Sequence, residues 1–109
     1  SLWKYDGNSY SLVTNQLAFS NWLLDFVIFN GELYFHADYV NESMGCGELW
    51  RHDGINPPTL AFELYNGQGC PQDLTVFNHD LYFSGSYIQP SYVHKELFRY
   101  SIQTDVFYT

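Results

Sequence analysis

The stretch DFVIFNGELYFHADY, residues 25–39, is the most informative part of the chain because it occurs twice. It aligns with DLTVFNHDLYFSGSY, residues 73–87, at a shift of 48 residues, and the two share the initial Asp, Phe-Asn and Leu-Tyr-Phe. A second motif repeats at almost the same spacing, as SLWKYDG (1–7), ELWRHDG (48–54) and ELFRYSI (96–102). A period of 20 to 50 residues indicates a solenoid or a propeller made of repeated supersecondary units.

Alternating apolar residues and turn signals predict four antiparallel strands in each period. In the central repeat the predicted strands are LDFVIF (24–29), ELYFHA (32–37), ELWRH (48–52) and TLAFELY (59–65). Asn30-Gly31 separates the first two strands and is typical of a type I′ turn, in which both central residues need positive φ. Asn78-His79 occupies the same place in the next repeat, and Asp53-Gly54 begins the turn after the third strand.

Four strands in a period of about 47 residues are typical of a β-propeller blade. We therefore predict an all-β fold made of β-propeller-type repeats, each a four-stranded antiparallel blade. The predicted units are a partial blade with strands three and four at 1–23, a complete blade at 24–71, and a second blade at 72–109 that ends inside its fourth strand. Two and a half blades do not close a ring of about four to eight, so we expect further blades from adjacent repeats or other copies.

The repeated positions predict a structural core. An extended strand places Leu49 and Trp50 on opposite faces, and apolar residues on both faces are expected for a sheet that is covered on both sides. The predicted repeat core is Leu2, Trp3, Leu33, Phe35, Leu49, Trp50, Leu81, Phe83, Leu97 and Phe98. The functional alternative for Trp50 is a ring that stacks on a sugar. The base that follows it recurs as Lys4, Arg51 and Arg99, which predicts a structural partner such as an acid on the neighbouring strand.

These residues also carry a family resemblance. The segment LYFHADYVNESMGCGELWRHDG, residues 33–54, resembles the ELWxxDGT-type repeats of large secreted and cell-surface proteins of bacteria. The resemblance implies a propeller-like fold, an extracellular location and a structural or adhesive role without catalytic residues. The chain departs from the pattern because Asn8 and Ile55 stand in place of the final Thr, and because Ser101-Ile102 replaces Asp-Gly.

Composition and charge restrict the classes of partner. Of the 109 residues 20% are aromatic, which favours strands, and no apolar run is long enough to span a bilayer. Twelve acidic residues against four basic ones give a formal net charge of -8. Because no basic cluster is present to neutralise phosphates, we expect no nucleic-acid partner.

Cys46 and Cys70 are compatible with one disulfide or with two free thiols. Neither recurs in the other repeats, and a pair that occurs together in a single repeat favours the disulfide. A disulfide would indicate an oxidising compartment, in agreement with an extracellular or cell-surface location. Asn41-Glu42-Ser43 is a candidate glycosylation site at Asn41.

Candidate chemical groups are few. His36 and His52 lie on adjacent predicted strands, but no further ligands accompany them. The loop residues Asp38, Asn41 and Glu42 supply oxygen atoms without the spacing of a calcium-binding EF-hand loop. No nucleophile or phosphate-binding motif is found, so we predict no enzyme activity, no metal site and no cofactor.

The predicted function is an extracellular structural or adhesive repeat protein, part of a tandem array or of a homopolymeric filament completed between copies. The alternative is a lectin-like propeller module that binds carbohydrate. The expected partners are further copies of the chain or adjacent repeats of a longer chain, with glycans as the second class.

Overall fold

A computed structural model describes residues 1–18, 25–39, 47–62, 71–89, 92–101 and 106–108. The described part of the chain contains eleven strands and no helix. The strands are β1 (Leu2–Tyr5), β2 (Tyr10–Thr14), β3 (Leu17–Ala18), β4 (Phe26–Phe29), β5 (Glu32–Tyr39), β6 (Glu48–His52), β7 (Thr59–Phe62), β8 (Gln72–Phe77), β9 (Asp80–Gln89), β10 (Tyr92–Ser101) and β11 (Val106–Tyr108). The prediction of an all-β fold is confirmed.

The strands form three antiparallel sheets that follow each other along the chain. Sheet 1 is the pair β1-β2, and sheet 3 has the order β11-β10-β9-β8. Sheet 2 contains β4, β5, β6 and β7, and the two-residue β3 pairs with the far end of β5. In sheets 2 and 3, four consecutive strands therefore pair as neighbours, in the order that the repeat predicted.

The two repeated hairpin turns have the predicted backbone conformation. Asn30 and Gly31 have φ values of 52° and 77°, and Phe29 pairs with Glu32 across the turn. In the next repeat, Asn78 and His79 have φ values of 52° and 69°. Both turns thus place two consecutive residues in the left-handed region, as a type I′ turn requires. The second turn does so with a histidine, whose Cβ atom makes this region less favourable than it is for glycine.

Sheets 2 and 3 differ beyond the shared hairpin. The third strand of sheet 2, β6, has five residues, whereas its counterpart β10 has ten and pairs with β9 from Tyr92 to Ser101. The first strand of sheet 3 also carries an irregularity, since the register shifts between Gln72 and Thr75 and Asp73 has a φ of 58°. A bulge of this kind leaves backbone groups unpaired within the sheet and available to a neighbour.

The sheets pack face to face in sequence order. Residues of β4, β5 and β6 share one buried cluster with residues of sheet 3. On the other face of sheet 2, Phe35, Ala37 and Trp50 form a second cluster with Leu17, against which Leu2 of sheet 1 packs. Sheet 2 is consequently covered on the face toward sheet 3 and in part on the face toward sheet 1, where Phe26, Ile28 and Leu60 stay partly exposed.

Three predicted residues, namely Cys46, Cys70 and Asn41, lie outside the described residues. The disulfide and the glycosylation site remain predictions.

Candidate functional site

The larger of the two buried clusters in the described part of the chain lies between sheets 2 and 3. Sheet 2 contributes Phe29, Tyr34 and Leu49, all of which are buried, with Val27 and Ala61 half-buried around them. Sheet 3 contributes its own buried set, which is Leu74, Leu81, Phe83, Phe98 and Tyr100. Burial of each large apolar side chain stabilises the fold by roughly 1.5–3 kcal/mol, so this interface is a principal source of stability.

Aromatic contacts hold the two sheets together. The rings of Phe29 and Tyr100 meet edge to face with centroids 5.9 Å apart, which is a favourable geometry for two aromatic quadrupoles. Tyr34 extends this cluster within sheet 2, with its ring 5.5 Å from Phe29. In sheet 3, the cross-strand pair Phe83 and Phe98 stacks at 5.3 Å and presents an aromatic surface to sheet 2.

A hydrogen bond also joins these sheets. The backbone N–H of Leu74 lies in the bulge of β8 and donates to Oδ2 of Asp25 at 2.8 Å. Asp25 directly precedes β4, so a carboxylate at the start of sheet 2 satisfies a donor that the bulge removes from the ladder of sheet 3. This role of Asp25 was not predicted from the sequence, although Asp25 recurs as Asp73 in the next repeat.

Trp50 anchors the opposite face of sheet 2. It is buried, and its indole N–H donates to the carbonyl of Ala37 at 2.9 Å. A ring enclosed in this way has no face available to a sugar, so Trp50 is a core residue.

The backbone next to this ring leaves no room for a side chain at Gly47, because a Cβ atom on Gly47 would lie 2.6 Å from the Ala37 oxygen. Gly47, which has a φ of 97°, is therefore required both by its conformation and by space.

The repeated basic position has structural partners, and their chemistry differs between the repeats. Lys4 donates from Nζ to the carbonyl oxygen of Gly54 in sheet 2 at 3.3 Å. Arg51 lies opposite Tyr34 on the neighbouring strand, and interaction with the Tyr34 phenol is the chief cause that raises the pKa of its guanidinium, with a further contribution from Glu32 on the same strand. The predicted structural partner is thus present at both positions, but an acid on the neighbouring strand takes part only at Arg51, since the Lys4 hydrogen bond goes to a backbone carbonyl.

The predicted repeat-core residues fall into three groups. Leu2 and Leu33 are half-buried and pack against the cluster around Trp50. The buried group is Phe35, Leu49, Trp50, Leu81, Phe83 and Phe98. Trp3 and Leu97 instead are 58% and 62% exposed. Their expected burial is not found, because they lie on the faces of sheets 1 and 3 that no other sheet covers within the described residues.

The outer faces of sheets 1 and 3 carry residues whose equivalents in another repeat are buried between two sheets. On the outer face of sheet 3, Phe77 is 67% exposed, and it is the 48-residue equivalent of the buried Phe29. Leu97 is the equivalent of the buried Leu49 in the same way. The outer face of sheet 1 carries Trp3, Tyr5, Tyr10 and Leu12, which pair with one another across β1 and β2. These two outer faces are the candidate functional surfaces.

The two histidines on adjacent predicted strands, His36 and His52, do not come together. His36 is opposite Leu49 and shares its face, toward sheet 3. His52 is opposite Leu33 and shares the face toward sheet 1. Since the sheet separates them, they cannot bind one metal ion. No group of three or more His, Cys, Asp or Glu residues that could hold a metal is present in the described ranges.

The repeated aspartates shape turns. Oδ1 of Asp53 accepts hydrogen bonds from the backbone N–H groups of Ile55 and Asn56, and its Oδ2 accepts one from the Asn56 side chain, all at 2.8 Å. Asp6 accepts two equivalent backbone hydrogen bonds in sheet 1. The Asn56 side chain and the two amides lower the pKa of Asp53 to about 2. The structural role predicted for these turn residues agrees with these contacts.

Comparison with known proteins gives no match, either to a family model, to a curated protein or to a solved structure. Within the described residues there is also no helix long and apolar enough to cross a membrane.

Proposed function

We propose that the chain is a structural repeat segment in which four-stranded sheets act as the blades of a β-propeller-type assembly. The observation that supports this most strongly is the equivalence of sheets 2 and 3. They share the same strand order and the same type I′ hairpin. They also stack on each other through apolar residues that occupy repeated positions of the 48-residue period.

The chemistry of the described residues favours a scaffold over a catalyst. The repeated polar residues have structural partners: Asp25 binds a backbone amide of the next sheet, Asp53 closes a turn, and Lys4 binds a carbonyl of the adjacent sheet. Large aromatic residues occupy the spaces between sheets. We propose an adhesive or structural role for such an assembly, outside the cell or on its surface.

The proposed role and location can be tested on cells of the source organism. Antibodies against the purified chain should label intact cells or their secreted material, and deletion of the gene should weaken attachment to surfaces. In the isolated protein, Cys46 and Cys70 should resist alkylation until they are reduced, as in an oxidising compartment. Labelling only after permeabilisation, together with two freely alkylated thiols, would contradict the extracellular role.

A second candidate function is carbohydrate binding, and one observation favours it. Tyr5 and Tyr10 are both exposed on the outer face of sheet 1, with ring centroids 4.7 Å apart. Together with Trp3, they form an exposed aromatic surface of the kind that can stack on a sugar ring. Saturable quenching of tryptophan fluorescence by saccharides, lost on Trp3→Ala, would support this function.

A further inference from the structure

We propose that the two outer faces of the stack bind each other between copies of the chain. The outer face of sheet 3, carrying Phe77, Tyr82 and Leu97, would receive the outer face of sheet 1 of a second copy, carrying Trp3 and Tyr5. This inference rests on the proposed function, because it uses the stacking of sheets 2 and 3 as the template for the contact.

The first side of the contact repeats the surface that sheet 2 buries against sheet 3. Cross-strand pairing places Thr75 with Tyr82 and Phe77 with Asp80, on one face of sheet 3. The equivalent residues 48 positions earlier, Phe29, Tyr34 and Leu49, are all buried by sheet 3. The same apolar positions are thus present on the outer face of sheet 3, where Phe77 and Leu97 are more than half exposed.

The second side repeats the surface that sheet 3 presents to sheet 2. In the alignment of the ELW motif, Trp3 corresponds to Phe98 and Tyr5 corresponds to Tyr100. Phe98 and Tyr100 are buried against sheet 2, whereas Trp3 is 58% and Tyr5 is 57% exposed. One copy therefore exposes both halves of an interface that it also contains in a completed form.

The completed interface predicts the individual contacts. Since Tyr100 meets Phe29 edge to face, Tyr5 of a second copy should meet Phe77 in the same way. Trp3 of that copy should cover Leu97, because Phe98 and Leu49 belong to one buried cluster. The two faces differ from each other, so the contact is head-to-tail and can continue from copy to copy.

Charge opposes this association. Each copy has a formal net charge of -8, so copies repel one another over the range of the Debye length. The proposed contact is apolar, and added sodium chloride should therefore strengthen it by screening that repulsion. A contact made chiefly of ion pairs would weaken instead.

Sedimentation velocity of the whole chain over a wide concentration range tests the proposal. The wild type should form species that grow with concentration, and Trp3→Asp and Leu97→Asp should each lower the association constant by about tenfold or more. Ile55→Asp is the matched control, because Ile55 is exposed in a turn outside both faces and its substitution should change nothing. A wild type that stays monomeric, or a Leu97→Asp variant that associates like wild type, would overturn the proposal.

A mixture of the two variants tests the head-to-tail geometry. The Trp3→Asp chain keeps an intact outer face of sheet 3, and the Leu97→Asp chain keeps an intact outer face of sheet 1. An equimolar mixture should therefore form dimers and nothing larger. Absence of mixed dimers would overturn the proposal, as would saccharide binding that requires Trp3 in a chain that does not self-associate.

The failure of this inference can be distinguished from the failure of the proposed function. Nuclear Overhauser effects between the rings of Phe29 and Tyr100 should persist in the monomeric Leu97→Asp variant, which also shows that it is folded. If the wild-type chain shows these contacts but never associates, sheets 2 and 3 are stacked as described. The proposed contact between the outer faces is then refuted. A monomer without them refutes the stacking itself.

Discussion

At the scale of single residues, the structure depends on a few positions where backbone conformation decides which side chain fits. The clearest is the hairpin turn that recurs at Asn30-Gly31 and Asn78-His79. The second residue of each turn has a positive φ. It is glycine in the first turn, at Gly31, but histidine in the second, at His79. A side chain with a Cβ atom in this region costs roughly 1–2 kcal/mol, so the two copies of the turn differ in stability.

The first prediction follows from this difference. Substitution His79→Gly should raise the free energy of unfolding by about 1 kcal/mol, because glycine accepts a φ of 69° without strain. Urea denaturation would measure the change. His79→Ala is the control, since it removes the imidazole but retains the Cβ atom. If alanine stabilises as much as glycine does, the effect does not come from φ.

The second prediction concerns Asp53, whose carboxyl has a pKa of about 2. Because the folded pKa is below the unfolded value, the stabilisation from this carboxylate is complete above about pH 4 and is lost as the pH falls toward 2. Asn56→Ala removes the largest cause and should raise the pKa toward 3.8. A carbon-detected NMR titration of the carboxyl would measure both values. An Asp53 pKa near 3.8 in the wild type would contradict the turn geometry.

At the scale of strands and turns, the sequence predicted the elements whose formation depends on residues close together in the chain. The hairpin between β4 and β5 was predictable, because Asn-Gly specifies a type I′ turn whatever surrounds it. The strand β6 was found at its predicted bounds of 48–52, since alternation and the following Asp-Gly define both ends. The two-residue β3 was not predicted, because its pairing with β5 depends on tertiary contact and leaves almost no pattern in the sequence.

The candidate surfaces were only partly predictable for a related reason. The repeat identified Trp3 and Leu97 as equivalent to buried residues, but the sequence alone did not show which faces of the end sheets have a neighbour. Likewise the sequence did not show that Gly47 must be a glycine, because the close approach to Ala37 depends on how β5 and β6 pack against each other.

The third prediction distinguishes, at two glycines, the cost of a positive φ from the cost of steric overlap. Gly47 and Gly54 have almost equal φ values of 97° and 94°. A Cβ atom at Gly54 would have no neighbour within 4 Å, whereas at Gly47 it would overlap the Ala37 backbone. We expect Gly54→Ala to cost about 1 kcal/mol and Gly47→Ala at least about 2 kcal/mol more. Equal losses in thermal or urea unfolding would show that the close approach at Ala37 is absent.

The fourth prediction tests the hydrogen bond between sheets. Asp25→Ala leaves the Leu74 amide without its carboxylate acceptor and should cost about 1–3 kcal/mol. Asp25→Asn retains an acceptor oxygen of the same geometry and should cost less. Hydrogen exchange of the Leu74 amide should accelerate in the alanine variant. If alanine and asparagine behave alike and exchange is unchanged, Asp25 does not bind the bulge.

At the scale of the whole molecule, equivalent sheets stack face to face. Sheet 2 has buried clusters on both faces, while sheets 1 and 3 each leave one apolar face exposed within the described residues. Such faces are typical of interaction surfaces. The repeat further relates each exposed face to one side of the internal interface, so a single packing geometry accounts for the core and for the proposed contact between copies.

The measurement that tests this stacking most directly is a double-mutant cycle on Phe29 and Tyr100, one residue from each sheet. Phe29→Leu, Tyr100→Leu and the double variant would be compared by their free energies of unfolding in the Leu97→Asp background. Because the rings meet edge to face at 5.9 Å, the predicted coupling free energy is about 0.5–1.5 kcal/mol. Strictly additive losses, with no coupling between the two positions, would contradict the face-to-face packing of sheets 2 and 3.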